Sequence, residues 1–267
     1  MDTGETWKSL FGARKPLIGM IHLAGLPGSP GARPMDNVLE RAITEAGVLA
    51  DAGYDALLVE NYGDLPFLPG RVKEHTVVAM ALAAREISGR YSLPLGINVL
   101  RNDPISALAI AGLVGGCFIR VNVHTGVRAT DQGVIEGRAH ETLRYRDQIS
   151  PGVMIFADVS VKHSKPMDPS SLEEDAREAA HRGLADALIV TGRATGAGTA
   201  LDDVEIVRRS VPERPVLVGS GVTPANVQAL LDVADGAIVG SVLKEGGKAE
   251  NPVDPARAEA LLRSAGR

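Results

Sequence analysis

Residues 52–61 read AGYDALLVEN, residues 182–192 read RGLADALIVTG and residues 233–241 read VADGAIVGS. Each phrase leaves a helical pattern, passes a Gly or Asp turn and enters a short run of aliphatic and β-branched residues. One helix-to-strand junction recurring along a chain predicts βα units and a parallel sheet. Working outward, eight such runs are found: Leu17–Leu23, Ala56–Asn61, Leu93–Leu100, Phe118–His124, Val153–Val161, Ala187–Gly192, Val216–Gly221 and Ala237–Ser241. Helical patterns follow them at Met35–Ala52, His75–Arg90, Pro104–Val114, Arg138–Gln148, Ser170–Arg182, Leu201–Ser210, Pro224–Val233 and Pro255–Ala265. Asp103, Thr223 and Asp254 each stand before a proline, the pattern of a capping side chain ahead of Pro at the first helical position. Eight units predict an α/β protein with a single-domain (β/α)8 TIM barrel over residues 1–267. The competing doubly wound sheet carries an early G-x-G-x-x-G turn, and none follows the first run here.

Composition agrees with a globular protein: of 267 residues 45% are hydrophobic and 23% charged. The net charge of -5 and the lack of a clustered Lys/Arg patch argue against nucleic acid as a partner. No apolar run approaches the ~20 residues that span a bilayer, and residues 1–15 lack a signal-peptide core, so no integral membrane segment is expected. Residues 1–15 read as an N-terminal cap, with Trp7, Leu10 and Phe11 closing the bottom of the barrel rather than touching lipid. The single cysteine, Cys117, in LVGGCFI, reads as a buried and inert thiol. A cytoplasmic location is expected, and a homo-oligomer is compatible with the sequence.

Barrels of this kind place their chemistry at the carboxyl ends of the strands. There the chain supplies His22, Glu60, Asn61, Asn98, Arg120, Asn122, His124, Asp158, Ser160, Lys162, His163, Thr191 and Ser220. Period-two alternation puts Arg120, Asn122 and His124 on one face and Asp158, Ser160 and Lys162 on another, both directed into the mouth. Asp158 and Glu60 are the candidate general acid/base groups, with Lys162 tuning their proton affinity. Asn98 and Asn122 are placed to hold substrate hydroxyls or a carbonyl. Asp158 and Arg120 also read as a structural ion pair across the core. His22, Glu60, Asp158 and His163 are a conceivable divalent-metal set, but no ligand spacing supports it, so no cofactor or metal is expected. His75, His140 and His181 fall on predicted helices as surface residues. No Ser-His-Asp order or G-x-S-x-G elbow accompanies Ser160, Ser164 or Ser220.

The last third carries the strongest pattern. The seventh run ends in GSGVTPANV (Gly219–Val227) and the eighth in GSVLKEGG (Gly240–Gly247). Glycines admit close approach of backbone N–H groups to an anion, and a short helix from Ser241 would aim its positive end there. The loop GRATGAGT (residues 192–199) can fold over the same point. These features predict a phosphate site after strands seven and eight, drawing on Thr191, Gly192, Gly196, Gly219, Ser220, Gly221, Gly240 and Ser241, with His22 and Arg120 beside it. A small phosphorylated ligand is the expected partner.

PLIGMIHLAGLPGSP (residues 16–30), DALLVENYGDLPF (55–67), PLGINVLRND (94–103), FIRVNVHTG (118–126), DVSVKHS (158–164) and VGSGVTPANV (218–227) resemble the BtpA family over nearly the whole chain. The resemblance implies a phosphate-binding TIM barrel. It also implies an association with photosystem I biogenesis at the thylakoid, and hence peripheral contact with a membrane. It names no reaction. Two readings follow: an enzyme using a carboxylate on a sugar phosphate or nucleotide, by lyase, isomerase or glycosyl-bond chemistry, and a non-enzymatic assembly factor.

Overall fold

The computed structural model describes residues 3–159, 161, 164–167, 169–192 and 200–267. Eight parallel strands close a barrel in the order β1-β11-β10-β9-β7-β4-β3-β2. They are β1 (Leu17–His22), β2 (Ala56–Glu60), β3 (Leu95–Asn98), β4 (Phe118–Val121), β7 (Met154–Asp158), β9 (Ala187–Val190), β10 (Val216–Val218) and β11 (Gly236–Val239). Seven lie inside the runs read from the sequence, and β11 begins one residue ahead of its run, at Gly236. Helices α2 (Met35–Ala52), α3 (Glu74–Arg90), α4 (Pro104–Val114), α5 (Ala139–Ile149), α6 (Leu172–Arg177), α7 (Leu201–Ser210), α8 (Val227–Val233) and α9 (Pro255–Ser264) surround it, and α1 (Thr3–Phe11) precedes β1. Among the described residues no helix is long and apolar enough to cross a membrane.

The repeated junction has a specific physical basis. Asp55, Asp186 and Asp235 each use Oδ2 to accept the first free N–H of the preceding strand, from Leu17 at 2.7 Å, Ile155 at 2.7 Å and Val216 at 3.0 Å. The aspartate therefore clips two neighbouring strands together at the barrel bottom, satisfying a donor that the ladder leaves open. Ending the preceding helix falls to other groups, as at Gly53, which takes a left-handed conformation.

Two apolar layers result. Between barrel and helices lie Leu57, Val59, Ile97, Val121, Ile155 and Val190 with the inner faces of the helices. Inside the barrel Ile18, Met20, Leu58, Phe118, Met154, Phe156, Ile189 and Leu217 pack together, with the rings of Phe118 and Phe156 stacked 4.5 Å apart. A Cβ on Gly96 would stand 2.1 Å from the Phe118 ring, so that glycine makes room for it. From below, Trp7 and Phe11 join this inner cluster, Trp7 lying 5.8 Å from Phe156. The N-terminal helix is thus a plug, and its two rings are spent inside. Cys117, expected to be buried, is half-buried at the rim of the same cluster.

Asp103 and Asp254 cap α4 and α9 as expected. Thr223 does not cap α8, which starts only at Val227. Asn226 closes the intervening turn instead, accepting from the Thr223 N–H and donating to the Gly221 carbonyl. The helix expected from Ser170 opens with a Ser171/Glu174 capping box and gives way at Glu178 to a π turn. The largest departure is a three-stranded antiparallel sheet ordered β6-β5-β8, from β5 (Val127–Thr130), β6 (Gly133–Glu136) and β8 (Ser164–Pro166). It is inserted after β4 and β7. The hairpin signal is present in VRATDQGVIE, where Gly133 takes φ +97° at the turn.

This insertion changes the fate of His124. Beyond Val121 the chain leaves the barrel ladder, and Val123 is held by the Asn102 side chain, which donates to its carbonyl and accepts its N–H, both at 2.9 Å. His124 then points away from the mouth, and its Nε2–H donates to the Gly183 carbonyl at 2.8 Å. Its buried Nδ1 has no partner among the described residues. Burial therefore pushes its pKa below the ordinary 6.5. The folded state binds fewer protons than the unfolded chain just below that value. The contribution is complete above pH 6.5 and is lost as pH falls from there through the depressed folded-state value. Urea midpoints measured against pH are expected to fall in this window for the wild type, with a flatter profile for His124→Gln.

Candidate active site

Strand alternation sets the site. Along β1 the inward positions are Ile18, Met20 and His22; along β2 they are Ala56, Leu58 and Glu60; along β7 they are Met154, Phe156 and Asp158. The lower members belong to the apolar interior, while the last of each is polar and opens to the mouth. Register aligns His22 with Glu60 and Glu60 with Asn98. A polar layer thus closes the carboxyl end of an otherwise apolar barrel.

Arg120 and Asp158 form its centre. Arg120 donates from Nε to Oδ1 and from Nη2 to Oδ2 of Asp158, both at 2.9 Å, and Asn122 Nδ2 donates to Oδ2 at 2.9 Å. The carboxylate thereby receives three donors, and its side chain is 1% exposed against 7% for Arg120. Burial by itself would lower the Arg120 pKa, but Asp158 and Glu60 outweigh it and hold the guanidinium more firmly charged than usual. Of the two roles open to Asp158, the bidentate pairing shows the ion pair directly. A Cβ on Gly219 would meet Ile189 at 2.4 Å, Thr191 at 2.8 Å and Arg120 Nη2 at 3.3 Å, so a glycine is needed there chiefly to clear the Ile189 and Thr191 side chains.

Glu60 is placed differently. Its Oε2 accepts from Asn98 Nδ2 at 2.5 Å, and its Oε1 lies 3.6 Å from His22 Nε2. The other ring nitrogen of His22, Nδ1, donates to the Ala249 carbonyl at 3.0 Å, which fixes the ring. Tyr62 stacks on His22 with centroids 4.6 Å apart, and burial, then Glu250 and Glu60, raise the Tyr62 hydroxyl above its ordinary pKa.

Two cavities meet at these residues. One, of about 260 Å³, is bounded by the turns Gly219–Thr223 and Gly240–Val242 and by His22, Glu60, Arg120 and Arg257. The second, of about 470 Å³, lies under the loop after β2 and the β5–β6 turn and is lined by Phe67, Arg101, Asn122, Gln132 and Asp158 among others. Glu60, Tyr62 and Arg120 line both. The glycine turns are fixed from outside: Gly221 takes φ +70°, and Ser220 Oγ accepts the Gly192 N–H at 2.8 Å. Lys244, fully buried behind the Ser241 turn, is 2.5 Å from Glu45 of α2. Burial pushes the Lys244 pKa down against the pull of Glu45.

The fold gathers His22, Glu60, Asn98, Arg120, Asn122, Asp158, Gly219, Ser220, Gly221, Gly240 and Ser241 at one end of the barrel. Thr191 is buried beneath Gly219. Asn61 is not at the mouth: its Oδ1 accepts the Leu100 N–H and its Nδ2 donates to Asp64, so it pins neighbouring loops. Ser160, Lys162, His163 and Gly196 lie outside the described residues. Among the described residues no group of three or more His, Cys, Asp and Glu is placed to hold a metal ion. Tyr62, Arg101, Gln132, Lys244 and Arg257 were not anticipated. Tyr62 follows directly on Glu60-Asn61, and Arg101 follows the third strand, so counting a few positions past each strand end would have found both.

A profile of the BtpA family matches residues 13–267. The chain belongs to the BtpA family. It is 47% identical over 257 residues to an uncharacterised protein of Pyrococcus furiosus, covering 96% of this chain and 97% of that one. It is 46% identical over 265 residues to the photosystem I biogenesis protein BtpA of Synechocystis, covering 98% and 90%. Among solved structures it resembles the N-(5'-phosphoribosyl)anthranilate isomerase of Pyrococcus furiosus, with a TM-score of 0.56, 17% identity, and 94% and 98% of the two chains covered. That likeness shows the TIM-barrel fold.

Asp158→Asn retains shape but leaves a buried guanidinium without its counter-charge. Chemical denaturation is expected to show a loss of roughly 3 to 5 kcal/mol, the scale for breaking a buried pair. Glu60→Gln, which keeps the Asn98 contact, is expected to lose far less. Equal losses would remove the distinction drawn between the two carboxylates.

Proposed function

We propose that this BtpA-family barrel is an enzyme acting on a small phosphorylated metabolite, a sugar phosphate or nucleotide. The observation that carries the proposal is the meeting of two cavities at Arg120, Glu60 and Tyr62. The smaller one has the makings of an anion cradle: glycine-rich backbone on two turns, the Ser220 and Ser241 side chains, and two arginines on its wall. Backbone N–H groups that glycine leaves accessible, together with a fixed positive charge, suit a phosphate dianion. Arg120 stands between this cradle and the rest of the site, already oriented by Asp158 and Asn122.

Glu60 is then the general acid/base. Its carboxylate borders both cavities, is oriented by Asn98 and faces His22, a second group able to take or give a proton. Asp158, with both oxygens engaged, is a positioning residue for Arg120. One oriented carboxylate, a fixed cation and a phosphate anchor serve isomerisation, aldol cleavage and glycosyl-bond chemistry alike. The phosphoribosyl substrate named for the isomerase of similar fold is in keeping with such an anchor, although the reading rests on this chain's own turns.

The photosystem role named for the Synechocystis relative offers an assembly factor as the second reading. A docking protein needs a partner surface and has no use for Glu60, His22 and Arg120 in a barrel mouth. The segment best suited to touch lipid, around Trp7 and Phe11, is occupied inside the barrel.

Calorimetric titration with inorganic phosphate and ribose 5-phosphate tests the anchor. Binding by the wild type is expected to weaken by about tenfold or more, ~1.4 kcal/mol, in Ser241→Asp, which puts a like charge on the cradle, with the melting temperature unchanged. Absence of binding or stabilisation by every phosphorylated ligand tried would overturn the reading. For the reaction itself, Glu60→Gln is expected to lower kcat by about 10²- to 10⁴-fold while ligand affinity is retained.

A further inference from the structure

We infer that the larger cavity is a nucleobase subsite, so that the ligand spanning the two cavities is a nucleoside monophosphate rather than a plain sugar phosphate. The inference rests on the phosphate reading above and deepens it. Its basis is a pair of amide side chains. Asn122 and Gln132 both line the larger cavity, and the carbonyl oxygen of each is buried with no partner among the described residues. Asn122 is 4% exposed, and its orientation is not free: Nδ2 donates to the Asp158 carboxylate, which can only accept, so Oδ1 is the atom left over. Gln132 likewise commits Nε2 to Asp131. Two buried acceptors without donors are costly, and a ligand offering N–H or O–H groups relieves that cost.

The rest of the wall selects among such ligands. Phe67 and Tyr62 meet as an aromatic corner, centroids 6.5 Å apart and planes at 60°, and Leu65 and Leu100 extend the apolar surface. A sugar with hydroxyls alone would satisfy the two acceptors and leave this wall wet. An apolar ring would cover the wall and leave the acceptors unpaired. A nucleobase does both, presenting a flat π face and N–H donors in its plane. Since Glu60 and Arg120 border both cavities, the ribose of a ligand with its phosphate on the glycine turns would lie against Glu60, next to the bond between sugar and base.

The test is a calorimetric comparison of ribose 5-phosphate with the 5'-monophosphates of uridine, cytidine, adenosine and guanosine, on the full chain. At least one nucleotide is expected to bind about tenfold tighter than ribose 5-phosphate. Gln132→Leu, on the β5–β6 hairpin, and Phe67→Ala are each expected to remove that preference while leaving ribose 5-phosphate affinity unchanged. Should Phe67→Ala fail to fold, Gln132→Leu carries the test. Ribose 5-phosphate binding as tightly as every nucleotide, or variants that weaken both ligands equally, would overturn the inference. If ribose 5-phosphate and inorganic phosphate do not bind at all, the anchor reading fails separately. The unphosphorylated nucleosides then decide: binding lost in Gln132→Leu supports the subsite, and no binding overturns it.

Discussion

The site depends on the buried pair between Arg120 and Asp158. Taking either charge out of water alone is expensive, and the pair persists because two guanidinium bonds and an Asn122 amide satisfy the carboxylate. What the pair achieves is placement. A guanidinium on a long flexible side chain is fixed at the junction of two cavities, beside Gly219 and within the field of Glu60. Without Asp158 the same arginine would lose the partner that holds it between Glu60 and the glycine turns.

The surrounding loops serve the same placement. A Cβ on Gly63 would stand 2.3 Å from the Gly25 amide nitrogen and 2.7 Å from the Leu23 carbonyl oxygen, so the loops after β1 and β2 are packed backbone to backbone. Gly63 donates to Leu23, and Asp64 accepts from Leu26. This contact carries Tyr62 over His22. On the other side, the Lys244–Glu45 pair ties the Ser241 turn to α2, and Asn226 closes the Gly221 turn. The β5–β6 hairpin brings Gln132 over the mouth from outside the barrel frame.

Much of the frame was legible in the sequence, because short apolar runs and Gly/Asp junctions are local signals. Polar residues at the carboxyl ends of the runs picked out Glu60 and Asn98, and alternation put Arg120 and Asp158 on inward faces. Alternation is reliable only while the ladder continues. It misplaced His124, since the chain turns out of the barrel after Val121 under the control of Asn102, a residue distant in sequence. Thr223 failed as a cap for a similar reason: Asn226 competes for the same turn. The hairpin signal in VRATDQGVIE falls between the fourth run and the helical pattern from Arg138, and Gln132 lies within it. Lys244 and Glu45 are 199 positions apart, and a buried lysine partnered across that separation leaves no local trace.

The roles assigned to Arg120 and the glycine turns are tested most directly by a crystal structure of the protein with ribose 5-phosphate. The phosphate is predicted to lie against the backbone N–H groups near Gly221 and Ser241, with Arg120 still paired to Asp158 and Glu60 facing the sugar. A phosphate bound elsewhere, or an Arg120 that has left Asp158 to reach it, would contradict the account.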